Sequence, residues 1–174
     1  MEDKPFIYFD KLKLSTVIVT VVYFLFTICI FLLYYIGKYE DVMGTVGAYV
    51  IIPQLGSCIF LYGPLRNFKF YLIWFGFAVL HIVMYFLFSK DSHFEIITVS
   101  PFPGLLNTVI LLLIFQVMRY VSLKMQKREF VFPGTRNSKG DFYDHIEPSN
   151  IDLILIAIYF VSFFVLLHLD SLMQ

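Results

Sequence analysis

Residues 119–150 read RYVSLKMQKREFVFPGTRNSKGDFYDHIEPSN, the longest polar interval in the chain, and they hold six of its thirteen lysines and arginines. Positive charge beside membrane spans stays on the cytoplasmic side, so the side on which this interval lies sets the direction of every apolar block around it. The blocks are long. Residues 14–37 run 24 positions without a charge, residues 42–65 another 24, residues 70–89 twenty, residues 96–118 twenty-three and residues 153–169 seventeen. About twenty apolar residues cross a bilayer as a helix, so the sequence predicts an all-α, polytopic transmembrane bundle.

Placing the ends by their flanking residues gives spans at about 14–37, 44–65, 68–89, 101–123 and 151–170, with residues 119–150 as a cytoplasmic loop. The whole, 1–174, forms a single membrane domain. Five spans with a cytoplasmic N-terminus put Lys4, Lys11, Lys13, Arg66, Lys69 and the six bases of the loop inside, and leave only Lys38 and Lys90 outside. If residues 42–65 were re-entrant, the best four-span arrangement would separate the bases nine to four.

Composition agrees with this reading. The chain is 59% hydrophobic and 15% charged, and its formal charge of zero hides acids and bases confined to the gaps between blocks. Direct nucleic-acid binding has no support in that charge pattern. The first block is too long for a secretory signal and lacks a small-residue cleavage site, so it reads as a retained signal anchor. No organellar targeting segment is visible, which makes a bacterial inner membrane the simplest home.

The second block is the least apolar. Pro53 removes a backbone donor and frees a carbonyl one turn earlier, which a membrane helix tolerates when a neighbour satisfies it. Gly44, Ala48 and Gly56 recur at multiples of four, a nearly bare face suited to close helix packing, so this span is expected at the centre of the bundle. Pro101 and Pro103 suit the start of the fourth span, which is expected to continue as helix through Met125. Ser149 or Asn150 can cap the fifth. Asp152 and Asp170 are expected at headgroup level.

Chemistry is sparse. Cys29 and Cys58 form no CxxC pair and differ in depth by roughly 13 Å at about 1.5 Å per residue, so both are read as packing residues without a disulfide. His93 and His145 fall in loops, neither His81 nor His168 has a carboxylate or second histidine at i+3 or i+4 on its own helix, and no metal site or cofactor fingerprint is present. All acids lie outside the uncharged blocks, which argues against carboxylate catalysis within the bilayer, and no serine lies in a nucleophile elbow.

Gln54, His81 and Asn107 fall near the midplane of three consecutive spans. Such a layer either lines a path for ions or small solutes or supplies interhelical hydrogen bonds that fix the packing. In the loop, Lys124, Lys127 and Arg128 fall where anionic headgroups can neutralise them. Residues 129–132, EFVF, read as a short strand leading into turns. Arg136, Lys139, Phe142 and Tyr143 mix charge with aromatic surface in a way that suits contact with a partner or with lipid headgroups.

Three function classes follow. The favoured one is a non-enzymatic membrane subunit that oligomerises and recruits or senses a cytoplasmic protein through the basic loop, a format shared by small bacterial membrane proteins of anti-phage defence systems. The alternative is a small oligomeric channel or carrier built on Gln54, His81 and Asn107. An intramembrane enzyme acting on lipid has the least behind it.

Overall fold

A computed structural model describes residues 6–91, 102–133 and 147–172, the last three as backbone only. Its helices are α1 (Leu14–Tyr35), α2 (Tyr39–Ile59), α3 (Tyr62–Leu65), α4 (Phe68–Phe88), α5 (Pro103–Gln126) and α6 (Asn150–Leu172), and no strand occurs among the described residues. All but α3 are long and apolar enough to cross a bilayer, the makeup of a multi-pass integral membrane protein.

Local signals set the helix ends. α1 stops at Gly37, whose positive φ of 75° lets Gly37 N–H reach the Tyr34 carbonyl and Lys38 N–H reach Leu33, at 3.0 and 2.9 Å. α2 then begins at Tyr39, five residues before the predicted span, because Glu40 and Asp41 sit favourably against the positive end of a helix. It ends at Ile59, and the one-turn α3 completes the passage to α4 in place of the continuous span expected to residue 65. Pro103 occupies the first turn of α5, which runs through Met125 as expected and closes at Lys127, a non-glycine residue at φ 56°. Pro101 lies outside the described residues.

α5 packs on α2, α4 and α6, while α2 packs on α1, α5 and α6. In α5, 50% of the most apolar stretch is buried, against 22% in α1 and in the fifth span. The centre is therefore shared by α2 and α5 and is not held by α2 alone. The small-residue face does not account for α2's position. Gly44 and Ala48 are exposed, and a Cβ added at Gly44 would meet nothing within 4 Å, so that face points out of the bundle. α2 turns inward Val42, Val46, Tyr49, Val50, Pro53 and Gln54, the bulkier side, which gains more contact by burial.

Cys58 is buried in the core, whereas Cys29 is exposed on α1 and is not a packing residue; both are free. The two ends of the bundle differ in character. One gathers Phe6 to Lys13, Arg66, Arg119, Arg128 and Asp152, and is called here the basic end. The other brings Tyr34 and Phe88 within 5.2 Å and Phe88 and Phe102 within 5.3 Å, ring centre to ring centre.

Candidate functional site: a clamped basic end and a neutral layer below it

At the last turn of α5 the left-handed Lys127 reverses the chain, and residues 128–131 run back beside the helix they have just left. Ser122 Oγ donates to the Arg128 carbonyl at 3.0 Å, and Phe130 and Val131 are buried, Phe130 edge-on to Phe115 with ring centres 6.3 Å apart. The strand expected at residues 129–132 does not form, because this segment finds its donors in side chains and in no second strand. Arg66 Nη2 donates to the Phe130 carbonyl at 2.5 Å, with its guanidinium 5.3 Å from the Tyr62 ring centre.

Two ion pairs, each with one fully buried member, fix the reversal. Arg119 is 0% exposed and grips Glu129 with two bonds, Nε at 3.0 Å and Nη2 at 2.5 Å. Its Nη1 donates to Gln116 Oε1 at 3.0 Å and its Nη2 to the Phe6 carbonyl at 3.2 Å. A planar fork satisfied on this many sides is the arrangement in which a buried arginine is tolerated.

The second pair joins Arg128 to Asp152, whose side chain is 0% exposed. Asp152 also accepts from Gln126 Nε2 at 3.1 Å, Ser149 N at 2.9 Å and Ser149 Oγ at 3.1 Å, and lies 3.4 Å from Val131 N. In return Asp152 N donates to Ser149 Oγ at 3.2 Å, so Ser149 and Asp152 cap α6 reciprocally. The capping role expected of Ser149 is present. The Asp152 carboxylate is turned into the protein, where it has an arginine and several N–H donors that it would lose by turning outward.

Arg128, expected at the lipid headgroups with Lys124 and Lys127, is likewise turned inward at 21% exposure, while the two lysines remain exposed. This sorting follows their chemistry: the guanidinium makes several directed bonds and is less strongly hydrated than an ammonium. Arg136, Lys139, Phe142 and Tyr143 lie outside the described residues. Both feet of their segment are described, however. Arg128 and Val131 on one side and Ser149 and Asp152 on the other meet at a single carboxylate.

Residues 6–13 close the same end. Phe68 N donates to the Tyr8 carbonyl at 3.0 Å and Asn67 Nδ2 to the Asp10 carbonyl at 2.9 Å. Burial first, then the Glu129 carboxylate, push the Tyr8 phenol up to about 12 against the opposing pull of Arg119 and Arg66.

Deeper in the bundle, the three predicted midplane residues approach neighbouring turns of α5. Gln54 Nε2 donates to the Gly104 carbonyl at 2.6 Å, and Asn107 is buried in the next turn. His81 is fully buried, with Nε2 2.9 Å from Tyr23 Oη and Nδ1 3.0 Å from Thr108 Oγ1. Tyr23 gives its one proton to a carbonyl of α2, so it accepts from His81 Nε2–H, and Thr108 Oγ1 donates to the unprotonated Nδ1.

Tyr23 also answers the problem posed by Pro53. The Tyr49 carbonyl that Pro53 leaves without a helical donor accepts from Tyr23 Oη at 3.3 Å, and the two tyrosine rings stack at 4.6 Å. Thr27 donates its one proton to the Tyr23 carbonyl at 2.9 Å, so Tyr49 Oη is the donor in the 2.7 Å bond between Thr27 and Tyr49. On α6, Tyr159 Oη donates to the Gln54 carbonyl at 2.5 Å and lies 2.7 Å from Ser57 Oγ. These helix-to-helix hydrogen bonds are all neutral and pair groups that burial would otherwise leave unsatisfied.

Sequence reasoning did not single out Tyr23, Tyr49, Thr108 or Tyr159, whose hydroxyls are hidden in an apolar count. His81 was the usable signal, since a mid-depth imidazole requires partners within reach. Among the described residues no group of three or more His, Cys, Asp or Glu side chains comes together as a metal site would require. Compared with protein-family models, curated proteins and solved structures, the chain matches none.

Proposed function

We propose that the chain is a non-enzymatic membrane subunit whose basic end faces the cytoplasm and presents residues 134–146 to a cytoplasmic protein, which it recruits or senses. One observation carries this reading: the two feet of that segment are held together at Asp152, by Arg128 and Val131 from one side and Ser149 from the other. A connector needs no such clamp. A loop whose shape must be offered to a partner gains affinity from fixed ends, because less freedom is lost on binding.

The positive charge concentrated in residues 119–150 supports the cytoplasmic orientation. The outward-facing Gly44 and Ala48 support assembly of copies through α2, where small residues let backbones approach. A bacterial inner membrane and a role in stress or anti-phage defence fit this format. The alternative, a channel or carrier lined by Gln54, His81 and Asn107, is disfavoured by the bonds that tie Gln54 and His81 into the packing.

A photo-crosslinking amino acid placed at Phe142 or Tyr143 in living cells tests the proposal. The expected product is a discrete adduct with a soluble protein, lost when Arg136 and Lys139 are both changed to glutamate. Adducts with lipid alone would overturn it.

A further inference from the structure

The segment before α1 has a built pattern of its own. Its carbonyls at Phe6, Tyr8 and Asp10, alternate positions, accept in turn from Arg119 Nη2 at 3.2 Å, Phe68 N at 3.0 Å and Asn67 Nδ2 at 2.9 Å. Between and after the half-buried Phe6, Tyr8 and Leu12 lie exposed apolar and basic side chains. Those are Ile7 and Phe9, at 50% and 56% exposure, and the exposed Lys11 and Lys13. Phe9 is held edge-on to Phe68, with ring centres 5.5 Å apart, and the exposed Lys69 follows directly.

The result is a strap carrying two exposed apolar side chains, Phe9 held against Phe68, and then two ammonium groups, with a third beside them. Asp10 is the one acid among residues 6–13, and the nearby Glu129 is engaged by Arg119. The strap runs directly into the exposed apolar face of α1, beginning with Leu14, Val17, Ile18 and Val21, so its outer surface continues the surface that meets acyl chains.

We propose that this strap and Lys69 form a binding surface for anionic phospholipid. Ile7 and Phe9 seat at the boundary of glycerol and acyl chain, and Lys11, Lys13 and Lys69 take the headgroup phosphates. Apolar anchors beside lysines at this depth are the pattern that interfacial segments use on charged membranes. The inference stands apart from the loop and its partner, and holds or fails without them.

The test uses the full chain with Phe9→Trp as a reporter, the native chain supplying the Trp74 background. It is reconstituted in vesicles of phosphatidylcholine with a minor share of phosphatidylglycerol. Bromine is carried on the acyl chains of the phosphatidylglycerol in one set and, at the same mole fraction, of the phosphatidylcholine in the other. Phosphatidylglycerol is expected to quench more strongly, and Lys11→Gln, Lys13→Gln and Lys69→Gln each to lower that preference by up to about fivefold. Lys90→Gln, at the other end of the bundle, should leave it unchanged. Equal quenching by the two lipids, a preference that survives the triple change, or no quenching by either lipid would overturn the proposal.

Discussion

The basic end and the layer below it solve the burial of polar groups in opposite ways. The layer is neutral. His81, Gln54, Tyr23, Tyr49 and Tyr159 join α1, α2, α4, α5 and α6 through single hydrogen bonds, several of them to carbonyls. The basic end buries Arg119 and Asp152, each paired with a less buried ion, Glu129 and Arg128, and uses the pairs to turn a loop segment back against the helices. Neutral bonds deep in a bilayer are worth little each, because the unfolded chain also finds partners there. A buried ion pair that loses one member leaves a charge with nothing to answer it. Damage should therefore be severe and local at the basic end, and mild and distributed in the layer.

The comparison breaks most visibly at Asp152. Asp152→Ala removes the acceptor for Arg128, Gln126 and Ser149 together and should destabilise the protein by about 3–5 kcal/mol. Hydrogen exchange in detergent should show residues 127–132 losing protection well beyond α5 itself. If stability falls by less than about 1 kcal/mol and that protection persists, the clamp does not exist.

In the layer, Tyr23→Phe removes the bonds to His81 and to the Tyr49 carbonyl, and His81→Phe keeps volume while removing two bonds. Each should lower stability by about 0.6–1.7 kcal/mol, measured by unfolding in detergent. Neither should alter the permeability of proteoliposomes to ions or small solutes. A conductance that disappears on His81→Ala would move the layer from packing to transport.

Tyr8 sharpens the contrast from the strap side. Its phenol is raised to about 12, above the ordinary value of 10. The strap's stabilisation is therefore complete below pH 10 and lost as pH rises toward 12, because ionising the phenol beside Glu129 becomes unfavourable in the folded state. An ultraviolet difference titration between the native chain and Tyr8→Phe should locate the missing tyrosine near pH 12. A difference centred on pH 10 would mean that the phenol is solvated.

The smallest effect is expected outside the bundle. Gly44→Ala adds a methyl where nothing lies within 4 Å and should shift the stability of the single chain by no more than about 0.5 kcal/mol. Gly44→Leu should nonetheless lower the oligomeric fraction in mild detergent, if copies pack through α2. An unchanged oligomer would remove α2 from that interface.

Most of the fold was legible in the sequence because hydrocarbon thickness leaves little choice: five apolar blocks became five helices, and Pro53 flagged a freed carbonyl one turn earlier without saying that Tyr23 would supply its donor. The pairings were not legible. Arg128 and Asp152 lie 24 residues apart, and nothing in their neighbourhoods says that they face one another in place of headgroups. The reversal at Lys127 was hidden for a related reason, since residues 129–132 carry strand-favouring aromatic and β-branched residues whose conformation depends on Arg66 and Ser122 supplying donors from elsewhere. The small-residue face of α2 was visible but not its direction. Spacing defines a face without saying whether a neighbour in the same chain occupies it.

If the basic end faces the cytoplasm, position 138 is reached only from inside the cell, and Ser138→Cys reports on this. A membrane-impermeant thiol reagent is applied to intact and then to permeabilised cells, with the native chain, whose Cys29 and Cys58 lie within helices, as background. The prediction is no labelling until the membrane is opened and strong labelling afterwards. Labelling of intact cells would put the segment outside and contradict the account.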